Sequence, residues 1–406
     1  MKALIHGPRV LILGSLAIAL AGCGGDDDSL LFRAPTSIAI ADLNGDGIPD
    51  LAASTSVVED NGSNRTGFAA VFLQSASNRL TFSSTNLDAA TSPAGIAVGD
   101  ISGTGAKDLV VANFNSGSVS VFLQTAPGSG QYQSGVSYST GGSPNEVALG
   151  DVNGDGKLDI IIADDASNGR VVILPQDTAN AGKFLSPVAL ATPNAASGLA
   201  VGDINGDGKL DIGAATSDGN GNNGAVILFY QDPATPGTFR TPVSVPAGAQ
   251  PITVKMADMN GDGSVDLVAA NFGAGTDGVG SSGVSVVLQD AANPGNFLAP
   301  ITYAAQSGTI HLAIADIDGD TKPDVVSANL GPSPSGSVSV LMQDPTRPGV
   351  LQVAQSYAAF GQPLCVAVGD LNGDGRPDIA IADAGTATVM LQTTTPGVFS
   401  GAGQIG

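Results

Sequence analysis

Short apolar runs alternate with polar, glycine-rich segments along most of the chain. Runs such as Ile96–Gly99 lead into a polar segment, and runs such as Leu109–Ala112 follow one. Runs of this length that are rich in Val, Ile and Ala and bounded by Gly, Asn and Asp are typical of β-strands and tight turns. The pattern therefore predicts an all-β protein.

The polar segments follow one nine-residue pattern, D-x-N-x-D-x-x-x-D, which we number as acidic loops one to seven in chain order. Successive segments begin 51 to 58 residues apart, and loops two and six are variants of the pattern. The seven loops are Asp42–Asp50, Asp100–Asp108, Asp151–Asp159, Asp203–Asp211, Asp258–Asp266, Asp316–Asp324 and Asp370–Asp378. Self-similarity at such a period indicates a repeat architecture.

Each repeat also contains a third strand that ends in glutamine and a fourth that follows a Gly-x-Phe-like turn, as at Phe184–Leu190. The glutamines are Gln74, Gln124, Gln176, Gln231, Gln289, Gln343 and Gln392. Four strands per repeat, seven times over, predict a seven-bladed β-propeller of four-stranded antiparallel blades. Three residues before each loop, on the innermost strand, six repeats carry alanine and the fifth carries Lys255.

The loop between two strands, followed by a G-S-V-S-V-x-L-Q strand as at Gly117–Gln124, resembles the FG-GAP and VCBS repeats of integrin α-subunit heads and bacterial surface proteins. The resemblance covers residues 34–406 and implies the same propeller fold. Such a resemblance is specific for the fold and says little about the partner.

The chemistry that these loops favour is calcium binding. Loop positions 1, 3, 5 and 9 offer side-chain oxygens and position 7 a backbone carbonyl, and Ca²⁺ accepts about six to eight such oxygens. Loop two has only two carboxylates, so we expect six calcium sites, and seven if loop two also binds. The candidate ligands are Asp42, Asn44, Asp46, Ile48, Asp50, Asp100, Ser102, Thr104, Asp108, Asp151, Asn153, Asp155, Lys157, Asp159, Asp203, Asn205, Asp207, Lys209, Asp211, Asp258, Asn260, Asp262, Ser264, Asp266, Asp316, Asp318, Asp320, Lys322, Asp324, Asp370, Asn372, Asp374, Arg376 and Asp378.

Alternatives to calcium are weaker. A helix–loop–helix calcium site needs Glu at the twelfth position counted from the first Asp. That position, three residues beyond each nine-residue loop, is never Glu and the flanks are strands, which excludes such a site. Magnesium prefers strict octahedral geometry and retained waters. The same Asp and Asn residues could be ordinary turn formers. However, the loops hold 21 of the 37 acidic residues, and carboxylates this close together repel one another unless neutralised.

Composition excludes several functions. A formal charge of −22 and a pI near 4.1 argue against nucleic acid or an anionic membrane surface as a direct partner. The two histidines and two cysteines are too few for zinc or haem sites. Catalysis would have to use His311 or carboxylates outside the loops, namely Glu146, Asp164, Asp165 and Asp383, so we expect no enzyme. The chain has no Trp, which disfavours but does not exclude a lectin.

The N-terminus reads as a targeting signal. Residues 1–22 have a basic start and an apolar stretch from Val10 to Leu20, as in a secretory signal peptide. Leu20–Cys23 resembles the bacterial lipobox, which implies lipidation of Cys23, a tether over residues 23–33 and a propeller over 34–406. With Gly24 after the cysteine, we expect an outer-membrane lipoprotein of a Gram-negative bacterium, held to the membrane by its lipid alone. Cys365 is then expected to be a small core residue.

Length variation is confined to the hairpins between second and third strands, which should lie on the face opposite the acidic loops. The long ones are Ser54–Gly67, Thr216–Gly224, Asn271–Gly283 and Asn329–Gly336. They are equally well read as a recognition rim or as tolerated insertions. We expect a monomeric, calcium-binding, lipid-anchored module that binds a protein or glycan on that face, as in adhesion. The alternatives are a structural or assembly scaffold of the envelope, or an accessory to a hydrolase or lyase.

Overall fold

The computed structural model describes residues 33–58, 65–166, 169–217, 224–273, 282–332, 336–383, 385–401 and 403–405. Within these ranges, 28 strands form seven four-stranded sheets, and each sheet consists of four consecutive strands paired antiparallel. The seven-bladed all-β propeller predicted from the repeats is therefore confirmed. No helix among these residues is both long and apolar enough to cross a membrane.

Two strands of each blade flank its acidic loop. The innermost strands are β1 (Arg33–Ala41), β5 (Pro93–Gly99), β9 (Pro144–Gly150), β13 (Ala196–Gly202), β17 (Pro251–Ala257), β21 (Thr309–Ala315) and β25 (Pro363–Gly369). The second strands are β2 (Asp50–Val58), β6 (Asp108–Asn113), β10 (Asp159–Asp164), β14 (Asp211–Ser217), β18 (Asp266–Asn271), β22 (Asp324–Asn329) and β26 (Asp378–Asp383).

The outer half of each blade is a further pair of strands. The third strands are β3 (Arg65–Gln74), β7 (Ser118–Phe122), β11 (Arg170–Leu174), β15 (Gly224–Phe229), β19 (Gly283–Val287), β23 (Ser337–Leu341) and β27 (Thr386–Met390). The outermost strands are β4 (Phe82–Ala89), β8 (Val136–Ser139), β12 (Val188–Ala191), β16 (Val243–Gly248), β20 (Ile301–Ala304), β24 (Gln355–Ala358) and β28 (Gly403–Gln404).

The fourth strand expected at Phe184–Leu190 is shorter than the sequence suggested. Phe184 forms an isolated bridge with Gln176, and the strand itself begins four residues later at Val188. The ring of Phe184 instead packs edge-on against Tyr138 of the preceding blade, with ring centroids 5.3 Å apart. The aromatic residue after the turn therefore joins two blades.

The blades close into a ring. Each innermost strand contacts the next in chain order, and β25 of blade seven contacts β1 of blade one. The acidic loops, which join first and second strands, therefore share one face of the disc, which we call the loop face. The hairpins between second and third strands share the opposite face, which we call the hairpin face.

The core lies between the blades. Seven apolar clusters lie between neighbouring blades. The cluster that contains Phe272 extends over blades five, six and seven, and the cluster around Ile38, Leu51 and Ala380 joins blade one to blade seven. Second strands such as β10 are buried at all six positions because both sheet faces are covered. Burial on both faces explains why these strands read as continuous Ile, Val and Ala runs.

Candidate metal centres

The first aspartate of each acidic loop organises the loop backbone. Asp42 Oδ1 accepts hydrogen bonds from the amides of Gly45 at 2.7 Å and Asp46 at 3.1 Å, and its Oδ2 accepts the Gly47 amide at 2.9 Å. Asp258 and its loop repeat this pattern. The turn needs a left-handed residue at the sixth position, where Gly47 has φ of 79°.

The ninth aspartate connects the loop to the third strand of its own blade. Asp266 is fully buried; its Oδ2 accepts the Met259 amide at 2.8 Å and its Oδ1 accepts the Gln289 amide at 2.7 Å. Each of the other ninth aspartates accepts the amide of its blade's glutamine, and all but Asp108 also accept the amide at loop position 2; Asp108 accepts the Ser102 amide at position 3 instead. These aspartates are Asp50, Asp108, Asp159, Asp211, Asp324 and Asp378. Besides its expected role as a ligand, this carboxylate thus connects the acidic loop to the end of the third strand by hydrogen bonds.

Burial of these carboxylates perturbs their ionisation. Desolvation raises the pKa of Asp159, Asp211, Asp266 and Asp324 from 3.8 to about 6, although backbone amides oppose the shift. Carboxylates of the same loop raise each of these pKa values further. A cation in the loop would relieve both effects, because it favours the ionised form.

Apart from β3, the third strands end two residues before the recurrent glutamine and not at it as the sequence predicted, and four of the seven glutamines link neighbouring blades by hydrogen bonds. The amide nitrogen of Gln231 donates to the carbonyl of Leu210 in its own loop at 3.1 Å and to that of Val152 in the preceding loop at 2.7 Å. Gln124, Gln289 and Gln392 reach the preceding loop in the same way. All seven glutamine side chains donate to the carbonyl at position 8 of their own loop, which explains the recurrence of this residue.

Turns from the next blade also pack against acidic loops, as at loops three and five. A Cβ added at Gly237 of blade four would lie 3.2 Å from Cβ of Asn153 in loop three. One added at Gly349 of blade six would lie equally close to Cβ of Asn260 in loop five. These loops are accordingly part of interfaces between two blades, so any ion bound there would stabilise the ring as well as the loop.

The donor chemistry of the loops suits calcium. All side-chain donors at the candidate positions are oxygens, which is what a hard cation prefers. In loop six, one oxygen from each of Asp316, Asp318 and Asp324 lies within 4.8 Å of the others. Oxygens bound to one Ca²⁺ at about 2.4 Å can be up to about 5 Å apart, so one ion fits this group.

Two loops place a basic side chain beside their fifth-position carboxylate. Lys322 Nζ lies 2.8 Å from Asp320 Oδ2 in loop six, and the guanidinium of Arg376 pairs with Asp374 in loop seven.

In loop two the hydroxyls of Ser102 and Thr104 bond to each other at 2.8 Å. Loop two thus keeps the common turn with fewer ligand oxygens.

Loop six also contains a strained residue. Thr321 has φ of 71° at the position where the other loops have glycine. A left-handed conformation costs a non-glycine residue about 1–2 kcal/mol. We expect Thr321→Gly to increase the free energy of unfolding by about 1 kcal/mol, measured by denaturant titration.

The matched control is Gly375→Thr in loop seven. Gly375 has φ of 81° and open space around its Cβ position, so this substitution should destabilise by a similar amount through the backbone alone. Equal stability of both variants and the parent protein would contradict the strain assigned to Thr321.

All the loop residues proposed as ligands lie within the described ranges. Among these described residues, loop six alone brings three acidic side chains, Asp316, Asp318 and Asp324, within 4.8 Å of one another. Cys23 and the signal segment lie outside the described residues. Sequence reasoning missed the tie between the ninth aspartate and the glutamine amide. Their separation varies from 14 to 24 residues, so no fixed spacing signals the contact, although the recurrence of the glutamine does.

Comparisons with known proteins agree with this architecture. A profile of the FG-GAP-like repeat matches residues 42–111, 100–162, 151–214 and 322–381, which together make up more than half of the chain. No curated protein matches the sequence significantly.

Two solved structures share the fold. A protein from Lactobacillus plantarum is 17% identical, with a TM-score of 0.53 over 82% of this chain and 86% of that one. BBS1N, solved in complex with ARL6DN, is 11% identical, with a TM-score of 0.50 over 89% and 93% of the two chains. Since the family profile spans most of the acidic loops, this chain belongs to the FG-GAP-like repeat family.

Proposed function

We propose that this protein is a calcium-binding, lipid-anchored propeller of a Gram-negative outer membrane that acts as a protein- or glycan-binding module. The observation that carries the proposal is the contrast between the two faces of the disc. Every acidic loop has the same length, while the hairpins on the other face differ in length from blade to blade. Fixed loops suit a structural metal, and variable hairpins suit recognition.

The calcium part of the proposal is supported by the oxygen-only ligand set and by family membership. When bound, the ion would supply positive charge to loops that hold most of the acidic residues. The carboxylates at positions 1 and 9 already fix the loop backbone by accepting amides, so little ordering would accompany binding. Such preorganisation favours affinity.

Recognition would have to come from the hairpins themselves. The polar side chains that follow each acidic loop by five positions, near the hairpin face, are all buried: Thr55, Asn113, Asp164, Thr216, Asn271, Asn329 and Asp383. Asp164, for example, pairs with Arg170 at 2.6 Å. The tips of the long hairpins, residues 59–64, 218–223, 274–281 and 333–335, lie outside the described residues.

The test is to shorten Asn271–Gly283 and Thr216–Gly224 to the length found in blade two. Full-length protein released from the membrane by Cys23→Ala would be used to capture protein or glycan ligands from cell-surface extracts. We expect folding and calcium content to be unchanged and capture of the identified ligand to weaken.

The matched control alters the loop-face turn Asp232–Gly237 instead. Capture that survives hairpin shortening but fails in this control would refute recognition on the hairpin face. If the wild-type protein captures no ligand while deletion of its gene disturbs the envelope, the alternative of a structural or assembly scaffold of the envelope is favoured. We propose no catalytic role.

The anchor is tested separately. Cys23→Ala should release the protein from membranes without lowering its melting temperature, because one lipid-bearing residue determines location and not folding. Membrane fractionation after a high-salt wash is the measurement. A variant that still sediments with membranes would contradict the lipobox interpretation.

A further inference from the structure

Five of the acidic loops contain an asparagine followed by a glycine. The pair occupies loop positions 3 and 4 and begins the same four residues, Asn-Gly-Asp-Gly, in loops one, three, four, five and seven. The asparagines are Asn44, Asn153, Asn205, Asn260 and Asn372. Asparagine before glycine is chemically labile, because glycine has no side chain to keep its backbone nitrogen from the asparagine side chain. Since the four residues are identical, only the fold can make one of these asparagines react faster than the others.

The reaction is deamidation, in which the glycine nitrogen attacks the side-chain carbonyl carbon of the asparagine. A bond forms between these two atoms, and the bond from that carbon to Nδ2 breaks. Nδ2 leaves as ammonia with the proton of the glycine amide, and water then opens the five-membered succinimide ring at either carbonyl. The products are aspartate and isoaspartate, and the net change is one water consumed and one ammonia released. Both the glycine amide and the asparagine side chain must therefore be able to move.

In four of the five loops, carboxylates hold both of these groups. The glycine amide donates to the first aspartate of its loop at 2.6 to 2.7 Å in loops one, three, five and seven. In the same loops the asparagine Nδ2 donates to a carboxylate at 2.8 to 3.2 Å. A carboxylate acceptor disfavours deprotonation of the attacking amide, and the bond at Nδ2 restrains rotation of the side chain. Both bonds must break before the ring can close.

Loop four differs at both groups. Among the described residues, the Gly206 amide makes no hydrogen bond to Asp203, whose Oδ1 accepts the Asp207 amide at 3.1 Å, and Asn205 Nδ2 has no acceptor. The Asn205 side chain keeps the bond from the Asp207 amide to its Oδ1, at 2.9 Å. Gly206 is exposed, and nothing lies within 4 Å of its Cβ position. Water can therefore reach the pair.

Loop five is the matched comparison. Gly261 has the same φ of 73° as Gly206, is also exposed and has equally open space at its Cβ position. Its amide nevertheless donates to Asp258 at 2.7 Å. Asn260 Nδ2 donates to Asp262 Oδ2 at 2.8 Å. The two loops thus share the four residues, the glycine conformation and the exposure, and differ in these two hydrogen bonds.

We propose that Asn205 is a site of spontaneous deamidation in the metal-free protein, with the Gly206 nitrogen as the nucleophile. Either product adds one negative charge to loop four. The aspartate product gives loop four aspartate at positions 1, 3, 5 and 9, which is the pattern of loop six. The isoaspartate product leads the backbone through the former side chain and so lengthens the loop by one methylene group.

The experiment follows each asparagine by mass spectrometry of peptides from the full chain, released from the membrane by Cys23→Ala. This parent protein is kept in chelator at mildly alkaline pH and below its melting temperature. We expect Asn205 to convert about tenfold faster than Asn260, since one net hydrogen bond changes an equilibrium by up to about that factor. In denaturant the two should convert at similar rates. Four further Asn–Gly pairs, at 61–62, 168–169, 220–221 and 223–224, lie wholly or partly outside the described residues and are scored separately.

Two matched variants test the physical reason. Asp262→Ala removes the acceptor of Asn260 Nδ2 and should speed conversion of Asn260 several-fold. Asp207→Ala removes the equivalent carboxylate of loop four and should leave the rate at Asn205 unchanged, because Asn205 Nδ2 does not bond to it. Each variant also loses the bond from the amide at loop position 7, so this loss is matched. Equal rates at Asn205 and Asn260 in the folded parent, or an unchanged rate at Asn260 in Asp262→Ala, would overturn the proposal.

A calcium-loaded sample is followed in parallel, and this part rests on the proposed function. An ion bound to Asn205 Oδ1 should slow its conversion. Equal rates at Asn205 with calcium and with chelator would count against an ion in loop four, whereas the chelator sample alone decides the deamidation site. Failure of the two proposals is therefore distinguishable.

Discussion

Replacing Asp266 by alanine is expected to lower the free energy of unfolding by about 3 kcal/mol or more, since it leaves two buried amides without acceptors. Those amides belong to Met259 and Gln289, on opposite sides of the fully buried carboxylate. Denaturant titration in the presence of chelator isolates this effect from metal binding. The free energy of unfolding of Asp266→Asn should lie between those of the wild-type protein and Asp266→Ala, because asparagine keeps one acceptor oxygen.

Asp262→Ala in the same loop is the matched control. Asp262 lies on the surface of the loop, where its Oδ1 accepts the Ser264 amide at 2.8 Å. Without calcium its loss should cost about 1 kcal/mol or less, because water can satisfy the exposed amide. Equal destabilisation by the two substitutions would contradict the structural role assigned to the ninth position.

Removal of calcium is expected to lower the melting temperature by on the order of 10 °C or more. A ligand at a hundred times its Kd stabilises the native state by about 2.7 kcal/mol per site, and several such sites add. Each ion would lie where one blade's loop meets the next blade's glutamine or turn, so its loss should loosen interfaces around the ring. Thermal unfolding followed with millimolar calcium and then with chelator is the measurement.

Acidification should weaken this stabilisation. Protons compete for the ninth-position carboxylates, whose pKa values reach about 6 in the metal-free state, so the calcium-dependent increase should shrink as the pH falls through that value. In the presence of chelator, the pH dependence of the contribution from these carboxylates has the opposite sign. Because these folded-state pKa values exceed the unfolded value of 3.8, the contribution of these carboxylates to stability is greatest below pH 3.8 and is lost as the pH rises through about 6. A melting temperature indifferent to chelator would contradict the calcium account.

The fold could be predicted from the sequence because each repeat encodes the same local structure. Continuous apolar runs mark second strands buried on both faces, and the nine-residue loops mark the connections before them. Strand ends were less predictable. Phe184 reads as the start of a strand but makes only an isolated bridge, since its ring packs against the neighbouring blade.

The loops were predictable as candidate ligands, whereas their contacts with other blades were not. The bond from Gln231 to Val152 joins residues 79 positions apart, and the ring closure that creates it leaves no local signal. The ion pair between Glu146 and Lys255 on the innermost strands was missed for the same reason. Glu146 and Lys255 are 109 residues apart and meet only because Gly198 leaves space between them.

The most direct test of the calcium assignment is a count of bound ions by native mass spectrometry of the calcium-loaded protein. We predict six ions per chain, or seven if loop two also binds, and a loss of one ion in Asp258→Ala. Two ions or fewer, or a count that does not change when Asp258 is replaced, would contradict it.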